Sequence, residues 1–216
     1  MIKKIGKTIL EIVAGSSKDK KIVVVDPAAL RKSKGPPPEP DLRIVGIFGD
    51  VDEEKVTETT HSFLYMNEMN RLTEKEEDRR PIEFYISSYG GNADDMFALY
   101  DIMRQIREET EIHTIGMGKV MSAGVLLLAG GTKGKRKIGK NCRVMIHSVI
   151  AGNHGNVHNL VNEMEAIQGL QEMYVNSLVE ETKMTKTRMK KMLERKVNVY
   201  LSAEEAVELG IADEII

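Results

Sequence analysis

The 216-residue chain contains a single cysteine, Cys142, and no tryptophan. One thiol excludes an intrachain disulfide, and a reducing, cytoplasmic setting is the expectation. An excess of charge of one sign is also missing. There are 31 Lys and Arg against 33 Asp and Glu, a formal net charge of −2. That balance offers no global attraction for nucleic acid. No apolar run approaches the roughly 20 residues that span a bilayer, so no membrane partner is expected. The first residues, MIKKIGKTILEIVAG, have a faint helical apolar pattern, but Lys7 and Glu11 interrupt the core a signal peptide would need. Aromatic residues make up only 5% of the chain, while 13 methionines supply adaptable filling for core and interfaces. The remainder is 41% hydrophobic and 30% charged, an ordinary soluble composition for one α/β domain with a proper core.

Proline is scarce and concentrated. Four of the six prolines lie in Ser33–Asp41, SKGPPPEPD, which reads as a polyproline-II spacer. Residues 1–41 are therefore expected to form an N-terminal arm and spacer, with a short amphipathic helix or flexible arm over 1–15 and a strand at Ile22–Val25. The folded domain is expected over 42–216.

Within that domain, apolar periodicity alternates between strand and helix. Arg43–Phe48 reads as a strand and Gly49-Asp50 as a turn. Val51–Arg71 reads as a helix burying Val56, Thr60, Phe63 and Leu64. Thr73–Arg80 is a charged loop. Ile82–Ile86 is a second strand, ending in Ser87-Ser88-Tyr89-Gly90-Gly91. The next helix buries Met96, Leu99, Tyr100, Met103 and Ile106, and Ile112–Met117 is a third strand. Thr132–Lys140 is a basic, turn-rich loop without interleaved aromatics, so it reads as a solvated surface. Arg143–His147 is a fourth strand, and Cys142 beside it a small core residue. Gly- and Asn-rich residues 151–158 lead into a long helix from about Leu160 to Glu181, then a shorter one over Thr185–Arg195. Asn198–Leu201 is a brief strand. Ser202–Leu209 is a helix with Ser202 and Glu205 in a capping box and Gly210 as its stop. Repeated β-then-α order argues an α/β fold of right-handed crossovers.

The chain is organised around Gly116–Gly131, GMGKVMSAGVLLLAGG, in which Ser122 is the only hydroxyl. Small residues flank it where a backbone can turn sharply, and Val125–Ala129 reads as the start of a buried helix. Such a Ser suits a nucleophile, and it equally suits an N-cap. Gly90-Gly91 ends the preceding strand and His147 the following one. A hydroxyl, an imidazole and glycine-backed N–H donors at one sheet edge are the parts of acyl transfer. His61, His113, His154 and His158 have plain structural readings. His154 and His158 are four apart, but no carboxylate or thiol partner supports a metal site there.

The segments ISSYGGNADDMFALYDIM, MSAGVLLLAGGTKGKR, VMIHS and YLSAEEAVELGIADEI resemble the ClpP family, the proteolytic subunit of the Clp protease. They occur in that family's order, and the step of 25 residues from Ser122 to His147 equals its nucleophile-to-base step. The resemblance runs from about Arg43 to the C-terminus. It implies a ClpP/crotonase-like α/β fold of repeated β-β-α units with a protruding handle helix. By position, Ser122 is the nucleophile and His147 the general base of a serine endopeptidase. Asn198 stands at the triad acid position, and the N–H groups of Gly91 and Ala123 form the oxyanion hole. Tyr85 falls at a position lining the dock for a partner unfoldase. The family also implies a homo-oligomeric, heptameric ring, with stacking into a tetradecamer left open. Its substrates are unfolded polypeptides delivered by an AAA+ unfoldase such as a ClpX- or ClpA-type chaperone. No cofactor is implied, since only the unfoldase uses ATP.

The chain departs from the family pattern at several positions. Asn198 replaces the triad Asp; its amide oxygen can still accept from a His Nδ1–H but adds no negative charge. Lys196-Val197 replace the usual acidic residue and Arg. Tyr89 stands where the family has Pro, Val120 and Met121 replace small residues, and Ala123 replaces a larger one. These departures keep two alternatives open. One is a weakly active or inactive ring subunit that regulates an active paralogue. The other is a ClpP-like protease of viral origin acting on particle proteins.

Overall fold

A computed structural model describes residues 42–194 and 198–216. The expectations for residues 1–41, and for Arg195 and Lys196-Val197, lie outside the described residues. One unit runs from Arg43 to Ile216.

Three parallel strands lie side by side: β1 (Ile44–Val51), β2 (Ile82–Gly91) and β3 (Ile112–Met121). Each leads into a helix, respectively α1 (Glu53–Arg71), α2 (Ala93–Ile106) and α3 (Ala123–Ala129). In β2, Ile82, Phe84, Ile86 and Ser88 are buried while Glu83, Tyr85 and Ser87 face the other side, as a period of two requires. The five apolar residues expected along α2 are its buried residues, and Asn92 caps it by accepting from the N–H groups of Asp94 and Asp95. Phe63 of α1 meets Phe84 edge to face, with centroids 5.2 Å apart. Val125–Ala129 of α3 are fully buried, so the strand-to-helix junction at Ser122 is anchored from its C-terminal side.

β3 serves two neighbours in succession. Ile115 and Gly116 pair with β4 (Lys137–Ile138), which pairs onward with β7 (Glu214–Ile215). Lys119–Met121 pair with β5 (Arg143–Ile146), and β5 pairs antiparallel with β6 (Val199–Leu201). Gly118, at φ 67°, takes the bend between the two partners. The sheet's branch through β5 and β6 begins there, and it is this branch that reaches the candidate site.

Beyond β5 come α4 (Val157–Glu181), α5 (Lys186–Glu194) and α6 (Ala203–Glu208). Residues 157–166 of α4 are exposed on every side, whereas Tyr174, Val175, Leu178 and Glu181 are buried near its C-terminal end. Glu181 is tied down by Tyr100 Oη at 2.7 Å and Arg107 Nη2 at 2.6 Å. Arg136 adds a bond to the Glu181 carbonyl at 2.8 Å and a two-pronged pair with Asp213. The predicted capping box of Ser202 and Glu205 is formed.

The α/β class expected from the sequence is the one observed, and several details differ. Gly49-Asp50 does not end β1; Gly49, at φ 96°, lies where the β1–β2 register shifts between Phe48 and Asp50, and the strand continues to Val51. Likewise β2 and β3 run on to Gly91 and Met121. The basic loop contains β4. Leu64 is 43% exposed, and α1 instead buries Val56, Thr59, Phe63, Met66, Asn67 and Asn70. The polar members of that face satisfy one another through Thr110, which donates to Asn67 at 2.7 Å and accepts from Asn70 at 3.0 Å.

Candidate active site

Ser122 sits in the sharp turn between β3 and α3 at φ 53°, ψ −120°. It is the only non-glycine residue with positive φ among the described residues. Such a conformation costs on the order of 1–3 kcal/mol and persists only where the surroundings hold it. Three hydrogen bonds to its backbone do so. The Ser122 N–H donates to the Met145 carbonyl at 2.8 Å. The Ser122 carbonyl accepts from Val125 N–H at 3.0 Å and from Tyr174 Oη at 3.0 Å. Burial pushes the Tyr174 phenol far up, so it remains a donor. The Ser122 side chain makes no capping bond. The N-cap reading thus fails, and the half-buried Ser122 keeps its Oγ free of the helix at the mouth of a buried element.

Gly90 presses against this hydroxyl. A Cβ there would lie 2.5 Å from Ser122 Cβ and 3.1 Å from Oγ, at a backbone φ of 106°. Gly91 has a different close neighbour: its Cβ would lie 2.0 Å from the Val51 carbonyl oxygen in β1. Both glycines are needed for close approach, one toward the hydroxyl and one toward the neighbouring strand. Ala123 is buried immediately after Ser122, as the first residue of α3, where an N–H has no partner within its helix.

The strand ladders bring His147 and Asn198 to the same edge. In β3 and β5, Met121 pairs with Met145, and Ser122 follows one residue on. In β5 and β6, Met145 pairs with Tyr200 and Ile146 with Val199, so the next rung sets His147 opposite Asn198. His147 is half-buried and Asn198 exposed. His147 Nδ1 lies 2.5 Å from the Ser148 carbonyl oxygen. A carbonyl only accepts, so Nδ1 carries a proton, and in the neutral ring Nε2 is the free acceptor. Asn198, whose amide oxygen can accept from such an N–H, makes no hydrogen bond to Nδ1 in this structure, where the Ser148 carbonyl is its partner. Among the described residues no hydrogen bond links Ser122 Oγ, His147 and Asn198.

Tyr85 is not brought to this edge. It lies half-buried earlier in β2, opposite Gly46 and Ile115, with its hydroxyl 3.4 Å from Glu83. Burial, and then the Glu83 charge, raise its phenol above the ordinary value. Ile44 and Phe48, exposed on the same face of β1, complete an apolar patch around it. Burial pushes the Cys142 thiol up to about 11, which makes it a core residue and not a second nucleophile. Among the described residues no group of three or more His, Cys, Asp or Glu is placed to hold a metal, and no helix is long and apolar enough to cross a membrane.

Tyr174 is the positioning residue that sequence reasoning missed. It falls on the stripe Tyr174, Val175, Leu178 and Glu181, so its spacing marks it as core and hides the hydroxyl's role.

The Clp protease family profile matches residues 41–216. The chain is also similar to the ATP-dependent Clp protease proteolytic subunit 3 of Frankia casuarinae. The two are 32% identical over 174 residues, covering 81% of this chain and 76% of that protein. With the fold, the strained serine and these similarities in hand, the chain belongs to the Clp protease family.

Proposed function

We propose that the chain is the serine endopeptidase subunit of a ring-shaped Clp-type protease. The observation that carries this reading is Ser122 itself, the one strained non-glycine turn among the described residues, with its Oγ uncommitted to the helix. Backbone strain stored at a hydroxyl costs stability and is useful where the hydroxyl must reach a substrate.

The steps follow from the residues. Ser122 Oγ attacks the carbonyl carbon of the scissile peptide bond, and His147 Nε2 takes the hydroxyl proton. The Ser148 carbonyl on Nδ1–H keeps the ring in the tautomer that this needs. Negative charge then develops on the former carbonyl oxygen. The N–H groups of Gly91 and Ala123 receive it. Asn92 N–H bonds the Val51 carbonyl at 2.9 Å, so the Gly91 N–H one residue back points away from β1. Collapse expels the amine, which collects the proton from His147; water, deprotonated by His147, then attacks the acyl-enzyme ester, freeing the carboxylic acid and returning the proton to Ser122 Oγ. No cofactor enters these steps. Substrate would lie extended beside Gly91–Ala93, with main-chain pairing that reads little side-chain identity. The remaining assignments are a homo-oligomeric ring in the cytoplasm, a partner AAA+ unfoldase that spends ATP and docks at the Tyr85 patch, and unfolded polypeptide as substrate.

One observation favours a second reading, a weakly active subunit that regulates an active paralogue. Asn198 supplies no charge to the imidazolium and makes no hydrogen bond to His147. Degradation of an unfolded protein such as reduced casein by the purified chain separates the readings. Turnover that Ser122→Ala abolishes supports the peptidase. Turnover absent in the native chain and gained in Asn198→Asp supports the regulatory subunit.

A further inference from the structure

The outer face of the β3–β5–β6 branch carries a cleft of about 520 Å³ beside the candidate site. Its lining includes Tyr89, Lys119, Met121, Arg143, Met145 and Tyr200. The ladders explain why five of these share one face, and Tyr89 joins them through Lys119, which lies over its ring. Lys119 pairs with Arg143, and Met121 pairs with Met145, which pairs with Tyr200. His147 and Asn198 form the next rung of the same face beyond Met145 and Tyr200, since side chains repeat every second residue. This strand face therefore runs from the catalytic rung to a pair of cations, and the cleft covers its far part, with a methionine floor and the cations at its end.

Those cations are held in place. Lys119 Nζ lies 4.7 Å from the centre of the Tyr89 ring and 3.4 Å from Ser87 Oγ. The Arg143 guanidinium lies 4.9 Å from the centre of the Tyr200 ring. Among the described residues neither has a carboxylate within ion-pair distance. Arg71, Arg107 and Arg136 are each matched by Glu109, Glu181 and Asp213. Two oriented cations without a counterion, opening on the same trough, form a site for a carboxylate.

We propose that Lys119 and Arg143 form a carboxylate subsite of the substrate groove, so that the enzyme prefers polypeptide with an acidic group near the cleaved bond. The proposal rests on the peptidase reading and adds a substrate class to it. The spacing sets the position. Arg143 is four residues from His147, about 13 Å along a strand at 3.3 Å per residue. An extended peptide covers that distance in about four residues, and the reach of the two side chains shortens it to as few as two. The acidic group can be an Asp or Glu side chain or the terminal carboxylate of a peptide. Tyr89 and Tyr200 flank the entry and pack against the carbon stem that carries the charge.

The test compares internally quenched peptides that differ only in Asp or Glu against Asn or Gln, at each of the four positions on either side of the scissile bond. A parallel set has free or amidated C-termini. The expected result is an acidic-to-neutral ratio of kcat/KM of about five to ten at a position two to four residues from the bond, falling as salt rises. In Lys119→Gln/Arg143→Gln the ratio falls to about one. In Lys119→Glu/Arg143→Glu it inverts toward Lys- and Arg-containing peptides, a gain that a misfolded protein does not show. A preference confined to free C-termini assigns the subsite to the terminal carboxylate, and one retained by amidated peptides assigns it to side chains. A ratio of one throughout in the native chain overturns the proposal, as does a preference that survives the double variant. If no peptide is cleaved, the peptidase reading is what fails. Fluorescence anisotropy of labelled acidic and neutral peptides on Ser122→Ala then decides the subsite by binding alone: tighter acidic binding supports it and equal binding overturns it.

Discussion

Replacing Gly90 by alanine isolates the serine turn from the rest of the fold. The new Cβ would lie 2.5 Å from Ser122 Cβ and 3.0 Å from the Met121 carbonyl oxygen. Carbon atoms prefer about 3.5 Å or more, so the serine turn must give way by about 1 Å. A misplacement of that size at a reacting group costs about 100-fold in rate. The backbone adds its own penalty, because φ is 106° and an L side chain there is strained by roughly 1–3 kcal/mol. That corresponds to a fall in Tm of about 4–8 °C for a domain of this size at 2 kcal/mol. Gly134 provides the control. It has φ 85° and nothing within 4 Å of a Cβ, so Gly134→Ala carries the backbone penalty without the clash. By calorimetry Gly90→Ala should lose more thermal stability than Gly134→Ala, because it carries the clash as well as the backbone penalty. Only Gly90→Ala should lose peptide turnover, by about 100-fold or more. Gly90→Ala with native turnover and the Tm of Gly134→Ala would refute the claim that Gly90 shapes the site.

Three further outcomes follow from single residues. Tyr174→Phe removes one of the two donors on the Ser122 carbonyl; it should cost about 1 kcal/mol in urea unfolding and lower kcat more than it raises KM. Burial raises the Asp213 carboxyl, but the Arg136 guanidinium and the N–H groups of Arg136 and Gly134 outweigh it and hold the group below its ordinary value. A depressed carboxyl contributes stability above its unfolded pKa and loses it as pH falls through the folded one, so the urea midpoint should drop steeply below about pH 4, and Asp213→Asn should flatten that step. Cys142, with its thiol pushed up to about 11, should resist iodoacetamide at pH 8 until guanidinium unfolds the chain, as mass spectrometry of the adduct would report.

What could be read in advance depended on whether a residue's role was local. The buried stripe of α2 and the Ser202–Glu205 capping box follow from spacing within one element, and both are present. Ser122 was legible because small residues around a lone hydroxyl mark a sharp turn. The polar face of α1 was not, because Asn67 and Asn70 are buried by a network that needs Thr110, about 40 residues away. β4 is two residues long and exists only because β3 and β7 flank it, so no periodicity could reveal it. Gly49 looked like a turn because φ > 0 serves a bulge as well as it serves a turn. Tyr174 gave no sign of its bond to Ser122, 52 residues distant. The partner of His147 Nδ1, the Ser148 carbonyl, comes from the local path of the chain just after β5, which no residue type or spacing announces.

The most direct test of the account is labelling with a fluorophosphonate, followed by mass spectrometry of the modified peptide. The account predicts a single adduct on Ser122, absent in Ser122→Ala and strongly reduced in His147→Ala. An unlabelled Ser122 in the assembled, folded protein, or labelling that persists in Ser122→Ala, would contradict the claim that this strained serine is an activated nucleophile.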